Sequence, residues 1–167
     1  MNQANFKVTP DLYASAGNRF VNLIIDVIIY YIISFILGLF LGFLSTIGID
    51  GPLEFIISMG AIGNLIYGIV VFVLYYTVME TLTQKSLGKY VTKTIVVLED
   101  GTKPKVKDIF IRSLCRNIPF DHFSFLGSDA RGWHDSISET YVVNEKLYNE
   151  KRNSIDSIDK IGMDIEE

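Results

Sequence analysis

The sequence has few of the residues that build disulfides, metal sites or catalytic motifs. Its 167 residues include one cysteine, Cys115, and two histidines, so an internal disulfide and a cysteine-only metal cage are excluded. It contains no phosphate-binding glycine loop, dinucleotide-binding glycine pattern, zinc-protease helix motif or nucleophile elbow. We therefore expect no enzyme activity, no metal and no cofactor. The net charge of −4 also argues against a nucleic-acid partner.

Charge is scarce and unevenly distributed along the chain. Charged residues make up 20% and apolar residues 49%, with a mean hydropathy of +0.31, whereas a soluble domain has about 25% charged residues. No Lys or Arg occurs over residues 20–84, but residues 85–116 contain eight. This order predicts a membrane-embedded part followed by a basic segment.

Two long apolar runs predict transmembrane helices. Residues 20–44 contain one charge, Asp26, and residues 59–79 contain none. About 20 apolar residues cross a bilayer core of roughly 30 Å, so both runs are long enough. The first run does not resemble a signal peptide, because it follows a long polar stretch and no small-residue cleavage site comes after it.

The basic residues predict how these spans are oriented. The intervening residues 45–58 carry no Lys or Arg, whereas both outer flanks are basic. The positive-inside rule then places both termini, with residues 1–19, in the cytoplasm and the loop outside. The expected fold is an α-helical membrane protein, a two-span antiparallel hairpin.

The chain after the second span is expected to form a small cytoplasmic or interfacial part over residues 80–145. The β-branched run Val91–Leu98 ends at a turn signal and can pair with Tyr141–Val143 in a short β-hairpin. The tail, residues 146–167, is polar, and we expect it to be disordered.

A basic amphipathic helix of about 13 residues is expected from Val106 until Pro119, because apolar residues recur there at three- and four-residue steps. Lys107, Arg112 and Arg116 lie between the apolar positions. We expect these three side chains to form a basic face, and the helix to lie against either anionic lipid head groups or the base of the hairpin.

A polar stripe runs along the first span. Arg19, Asn22, Asp26 and Tyr30 fall within about 80° of arc on one helix face. An Asp at the centre of a span costs about 2.5–3.5 kcal/mol, so Asp26 needs compensation.

The hairpin itself suggests which residues compensate Asp26. If Phe20 aligns with Met79, the numbers of contacting residues sum to about 99–103. Asp26 then meets Tyr75 or Tyr76, and Arg19 lies near Glu80. This cluster is either an ion or proton site or a buried polar clasp that fixes the two helices.

Three segments resemble the RDD family of small bacterial integral membrane proteins, over about residues 14–143. They are the stretch ASAGNRFVNLIIDVIIYYII, the stretch from Glu80-Thr81 through Ser86-Leu87-Gly88-Lys89 to Arg112 and Arg116, and the block RGWHDSISETYVV. The family is named for an Arg and two Asp residues, which the resemblance assigns to Arg19, Asp26 and Asp135.

The resemblance implies a multi-pass protein of the bacterial cytoplasmic membrane. A transport role has been proposed for the family, and exchange of monovalent cations for protons for some members. Many members appear to have a third span, for which residues 117–129 are too short and too polar here. Since two helices cannot enclose an ion path, transport would require a homo-oligomer or another membrane protein.

The final block also predicts a network of charge-assisted hydrogen bonds at the cytoplasmic face. We expect Arg131, His134 and Asp135 to form it, with Asp135 close to Arg19. A catalytic dyad of His134 with Ser136 or Ser138 is a weaker interpretation, because no nucleophile motif is present.

Two functions stay open from the sequence. The first is a small oligomeric cation–proton exchanger with Asp26 as its site, which predicts a water-accessible Asp26. The second is a non-transporting membrane scaffold or subunit that recruits a partner at its cytoplasmic face. It predicts a dry, fully paired Asp26 and an exposed apolar patch.

Overall fold

The protein is mostly helical. A computed structural model describes residues 6–124 and 131–165. The described helices are α1 (Ala16–Thr46), α2 (Gly51–Ser58), α3 (Gly60–Thr83), α4 (Leu87–Thr92), α5 (Val106–Cys115), α6 (Asp121–Ser124), α7 (Trp133–Ile137) and α8 (Glu145–Ile165). The strands are β1 (Thr94–Leu98) and β2 (Thr140–Asn144), and a 3-10 turn covers Pro10–Leu12.

Helices α1 and α3 are long and apolar enough to cross a membrane. They extend the predicted spans at both ends of the first and at the end of the second, and the predicted loop contains α2. The Ser15 hydroxyl begins α1 by accepting a hydrogen bond from the Asn18 amide. Apolar side chains along both helices, such as Phe35 and Leu65, are exposed. The fold therefore has the helices that an α-helical membrane protein requires.

Helices α1 and α3 contact each other in an antiparallel arrangement, so later residues of α1 meet earlier residues of α3. The Tyr67 hydroxyl donates to the Ser34 carbonyl at 3.1 Å, and the rings of Phe72 and Tyr30 lie 5.6 Å apart. The residue numbers of the two pairs sum to 101 and 102, which is within the range expected from the sequence.

The two strands form an antiparallel ladder, from Thr94 opposite Asn144 to Leu98 opposite Thr140. The ladder begins three residues later than predicted, because Ser86 starts the short helix α4. The Ser86 hydroxyl accepts a hydrogen bond from the Lys89 amide, and Lys93 ends α4 in a left-handed conformation.

One face of the sheet is apolar, and the other is mixed, since Val96 and Val142 pack there with Ala14 and Ile109. Ile95, Val97 and Val143 pack on one side with Val8, Leu12 and Tyr148, and we call these six residues the apolar core. On the other side, Thr94 and Thr140 hydrogen-bond to side chains of the helices.

The polar tail is helical over Glu145–Ile165, which differs from the predicted disorder. Its first turns are attached to the folded part of the chain. The Tyr148 hydroxyl donates to the Gly101 carbonyl at 2.7 Å, and the Lys151 ammonium donates to the Thr9 hydroxyl at 2.6 Å. The polar composition of the tail does not predict these contacts.

The predicted basic face on α5 is wrong for two of its three residues. Arg112 and Arg116 are buried, while Lys107 is exposed. The helix also ends earlier than predicted, at Cys115. The expected absence of a third span over residues 117–129 falls partly outside the described residues.

Candidate functional site: a buried charge core

Asp26 accepts four hydrogen bonds from neutral donors. The Tyr75 hydroxyl and the Gly88 amide donate to Oδ1, both at 2.8 Å. The Ser86 and Tyr76 hydroxyls donate to Oδ2 at 2.6 and 3.1 Å. A carboxylate has about four lone-pair positions, so all of them are used. The residue is only 2% exposed.

The short helix α4 supplies the Asp26 donors that do not come from α3. Gly88 is needed there because a Cβ on it would lie 2.6 Å from the Asn22 carbonyl oxygen of α1. This close approach lets the Gly88 amide reach the Asp26 carboxylate. Asn22 adds a second connection, since its side chain bonds to Thr92 and Thr94.

Glu80 is the second buried carboxylate, near the end of α3. The Lys89 ammonium donates to its Oε1 at 2.7 Å, and Arg112 Nε donates to its Oε2 at 3.0 Å. The Arg116 guanidinium lies 3.5 Å from Oε1 and stacks over the Tyr76 ring at 4.3 Å. Glu80 therefore joins α3 to both α4 and α5.

Asp135 is the third buried carboxylate and joins the two ends of the chain. Arg19 of α1 donates to its Oδ2 at 2.6 Å, and Arg112 of α5 donates to its Oδ1. The Gly132 amide also donates to Oδ2, at 2.8 Å. A Cβ at Gly132 would lie 2.7 Å from the His134 ring, so this turn requires a glycine.

His134 lies between two carboxylates. Its Nδ1 is 2.6 Å from Asp121 Oδ2, and its Nε2 is 3.4 Å from Asp135 Oδ1. Its backbone amide donates to the other Asp121 oxygen at 2.9 Å. Asp121 therefore fixes both the ring and the backbone of α7.

These side chains form one charge-balanced interior. Four acids and four bases have formal charges that cancel, and His134 is the ninth member. All nine are less than 9% exposed. We call this set the charge core: Arg19, Asp26, Glu80, Lys89, Arg112, Arg116, Asp121, His134 and Asp135.

Burial and ion pairing set the pKa values of three members that lie outside α1 and α3. Burial lowers the pKa of His134 to about 3, so the ring is neutral at pH 7. Burial also lowers the pKa of Lys89, to about 8, against the opposing effect of Glu80. For Asp135, burial acts to raise the pKa, but Arg19 and Arg112 outweigh it and hold the pKa well below its usual value.

A cavity of about 30 Å³ lies within the charge core. Asp26, Arg112, Arg116, Asp121 and His134 are among the residues that line it. Among the described residues, Arg112 Nη2 and Arg116 Nε are buried with no hydrogen-bond partner. A polar cavity of this size has room for about two water molecules.

Two contacts expected from the sequence are confirmed. Arg19 and Asp135 are in direct contact, and Asp26 meets both Tyr75 and Tyr76.

Three other expected positions differ. The described hydrogen bonds of Glu80 go to Lys89, Arg112 and Arg116, where the alignment predicted Arg19 as its neighbour. Tyr30 packs on Phe72, away from the charge core. Arg131 has no described hydrogen bond to His134 or Asp135, because its guanidinium stacks over the Tyr141 ring at 4.3 Å.

Sequence reasoning missed several members of the site. Lys89 and Asp121 were not singled out, nor were the donors Ser86 and Gly88, beyond the family resemblance. The sequence contains a weak signal for three of them: Ser86, Gly88 and Lys89 follow the second span closely, and a Ser there is a typical residue to precede a helix. Nothing comparable marks Asp121.

Two long apolar helices, with paired charges near their ends, are compatible with an α-helical membrane protein. The family can be stated as well. The model of the RDD family matches residues 13–139, so the chain belongs to that family. No curated protein and no solved structure matches it.

Proposed function

We propose that this RDD protein is a non-transporting membrane scaffold or subunit, and that its charge core is a structural clasp. The observation that carries the proposal is the saturated Asp26. A carboxylate that cycles between a proton and a cation needs a free lone pair and access to water, whereas Asp26 accepts four hydrogen bonds and is 2% exposed.

The clasp holds together parts of the chain that are far apart in sequence. Arg19 and Asp135 are separated by 116 residues, and Asp26 and Gly88 by 62. In this proposal α1 and α3 form an antiparallel hairpin across the bacterial cytoplasmic membrane, with both termini in the cytoplasm. The clasp then fixes the sheet and α8 at the membrane surface.

The partner-binding surface in this proposal is α8. Of the eight basic residues over residues 85–116, Lys89, Arg112 and Arg116 are inside the charge core, which removes them from the surface. Helix α8 is attached at its first turns, and Asn153 and Ser154 further along it are exposed. No enzymatic role is proposed. The Ser136 and Ser138 hydroxyls donate to backbone carbonyls, which does not suit a nucleophile.

The test is cation-driven proton flux in proteoliposomes, with sodium, potassium and lithium gradients. We expect the wild-type protein to match protein-free vesicles, with an added ionophore as the positive control. Asp26→Asn should insert normally and lose about 1–2 kcal/mol of stability, because the Ser86 and Tyr76 hydroxyls can rotate to accept from the new amide. Asp50→Asn, in the exposed loop, is the matched control.

A second candidate is the oligomeric cation–proton exchanger. It is favoured by one observation, the polar cavity of about 30 Å³ that Asp26 helps to line. Wild-type flux that disappears in a normally inserted Asp26→Asn variant would establish this function and overturn the scaffold proposal. The exchanger also requires several copies or another membrane protein, which cross-linking in the same vesicles would detect.

A further inference from the structure

Three short helices around the ends of α1 and α3 have the opposite polarity from helices of a soluble protein. In α5, the exposed residues after Lys107 are Phe110 and Leu114, at 46% and 43% exposure. The buried residues of the same helix include Arg112 and Ser113, both fully buried. Two polar side chains thus face inwards beside the buried Ile109, while Phe110 and Leu114 face outwards.

Helices α7 and α4 repeat this arrangement. In α7, Trp133 and Ile137 are exposed while His134 and Asp135 are buried. In α4, the exposed apolar residues are Leu87, Tyr90 and Val91, and Lys89 is buried. A helix in water orients these residue types the other way, whereas ionisable residues at membrane depth face the protein interior.

The exposed apolar faces continue the surface of the long helices. Helix α5 packs against α3, α7 packs against α5, and α4 packs against α1. On the adjoining turns of α3, Val78 and Leu82 are also exposed. Together these side chains form a belt around the membrane ends of the two long helices.

The rim of the belt has the residues that are typical of a membrane interface. Lys105 and Lys107 are exposed at the start of α5, where long basic side chains can reach anionic head groups. Trp133 is an aromatic residue of the kind enriched at the interface.

The far side of the sheet has the normal polarity of a soluble protein. There the apolar core is buried, and Lys7 pairs with Glu99 at 2.9 Å as two exposed side chains. The two sides of the sheet therefore differ in the polarity of the side chains that they expose.

We propose that the apolar faces of α4, α5 and α7 insert into the cytoplasmic leaflet, so that acyl chains cover the charge core. This inference rests on the two-span insertion proposed above and is independent of whether the protein transports ions. It predicts that residues after the second span lie within the bilayer, although none of the three helices is long enough to cross it.

The chain contains one tryptophan, Trp133, which makes a direct test feasible without labelling. The full-length protein is reconstituted in vesicles of phosphatidylcholine and phosphatidylglycerol whose acyl chains are brominated at a shallow or a deep position. We expect tryptophan emission to be quenched several-fold more by shallow bromine than by deep bromine, and hardly at all by aqueous iodide.

A double variant supplies the matched control. Trp133→Phe with Tyr141→Trp moves the tryptophan to the apolar-core face of the sheet, where Tyr141 is half-buried. Its emission should not respond to either bromolipid. A second variant, Trp133→Phe with Phe110→Trp, places the probe on α5 and should be quenched like the wild type.

Absence of bromine quenching at Trp133 would overturn the proposal. Quenching by iodide alone would show that Trp133 lies in a water-exposed patch. Quenching by neither iodide nor bromine would show that protein, such as a second copy of the chain, covers it. Flotation of the vesicles on a density gradient after an alkaline carbonate wash, which removes peripheral protein, shows separately whether the hairpin has inserted. A failure of insertion is therefore distinguishable from a failure of the belt.

Discussion

On one face of the β1–β2 sheet, Ile95 and Val97 pack against Val8 and Leu12, and no polar partner is involved. On the other face, Thr140 accepts a hydrogen bond from Arg112, which is fully buried among carboxylates. The apolar core depends on area removed from water and tolerates residues of similar volume. The charge core depends on specific pairs, because a buried charge without its partner is costly. One sheet thus stabilises two interiors with different rules.

The largest expected effect comes from breaking the charge core at its centre. Arg112→Met removes the guanidinium shared by Glu80 and Asp135 and leaves both carboxylates partly unpaired. We expect a loss of about 3–5 kcal/mol, or failure to fold. Thermal unfolding in detergent, together with the yield of monodisperse protein, measures it. Lys107→Met on the same helix should change stability by less than about 0.5 kcal/mol. Equal stability of Arg112→Met and wild type would contradict the role of these pairs.

The next effect tests the close approach of α4 to α1. In Gly88→Ala, the new Cβ meets the Asn22 backbone, which cannot move aside as a flexible side chain would. We expect a loss of about 2–3 kcal/mol as the Gly88–Asp26 hydrogen bond lengthens. Gly38→Ala is the control, since nothing lies within 4 Å of its Cβ position. The contact does not matter if the two variants unfold at the same temperature.

Acid should distinguish the two cores. The pKa of His134 is about 3 when folded and about 6.5 when unfolded, so between these values the unfolded chain binds a proton that the folded chain does not. Stability therefore falls with acidification, by about 2 kcal/mol from pH 7 to pH 5. Asp121 and Asp135, whose pKa values are lowered on folding, add to the loss only at lower pH.

Chemical denaturation in detergent at pH 7 and pH 5 measures this effect. His134→Asn keeps a donor near Asp121 without the titrating ring, so most of the acid-dependent loss should disappear in that variant. An unchanged loss would assign the pH dependence to another group.

The smallest effect is expected in the apolar core. Val97→Ala removes two methyl groups from a fully buried site and should cost about 1–2 kcal/mol. A valine side chain has no titratable group and forms no hydrogen bonds. The loss of stability should therefore be the same at pH 7 and pH 5. A cost that grows on acidification would show that the two cores are coupled through the sheet.

Part of the charge core could be predicted because helix geometry constrains it. The spacing of Arg19 and Asp26 sets their common face, and the alignment of two spans brings Asp26 to Tyr75 and Tyr76. The β-ladder was predictable too, since Ile95–Val97 and Tyr141–Val143 are rich in β-formers.

The remaining pairs could not be predicted from local pattern. The polar face of an amphipathic helix is expected at the surface of the protein, here at lipid head groups, and that expectation placed Arg112 and Arg116 on the surface. Their partners Glu80 and Asp135 come from other helices, so the reversal depends on tertiary packing alone. Likewise, the sequence around Asp121 has no feature that identifies this residue as a partner of His134.

The sequence separation of 116 between Arg19 and Asp135 has a consequence for biosynthesis. At roughly 5–20 residues per second, a ribosome adds the second partner about 6–23 s after the first. During that interval α1 holds an incompletely paired arginine and aspartate, and the earliest partners that Asp26 meets are the tyrosines of α3. Assembly is therefore ordered. Helices α1 and α3 pair first, and α4 to α7 then pack against the charged residues of α1, which were synthesised earlier.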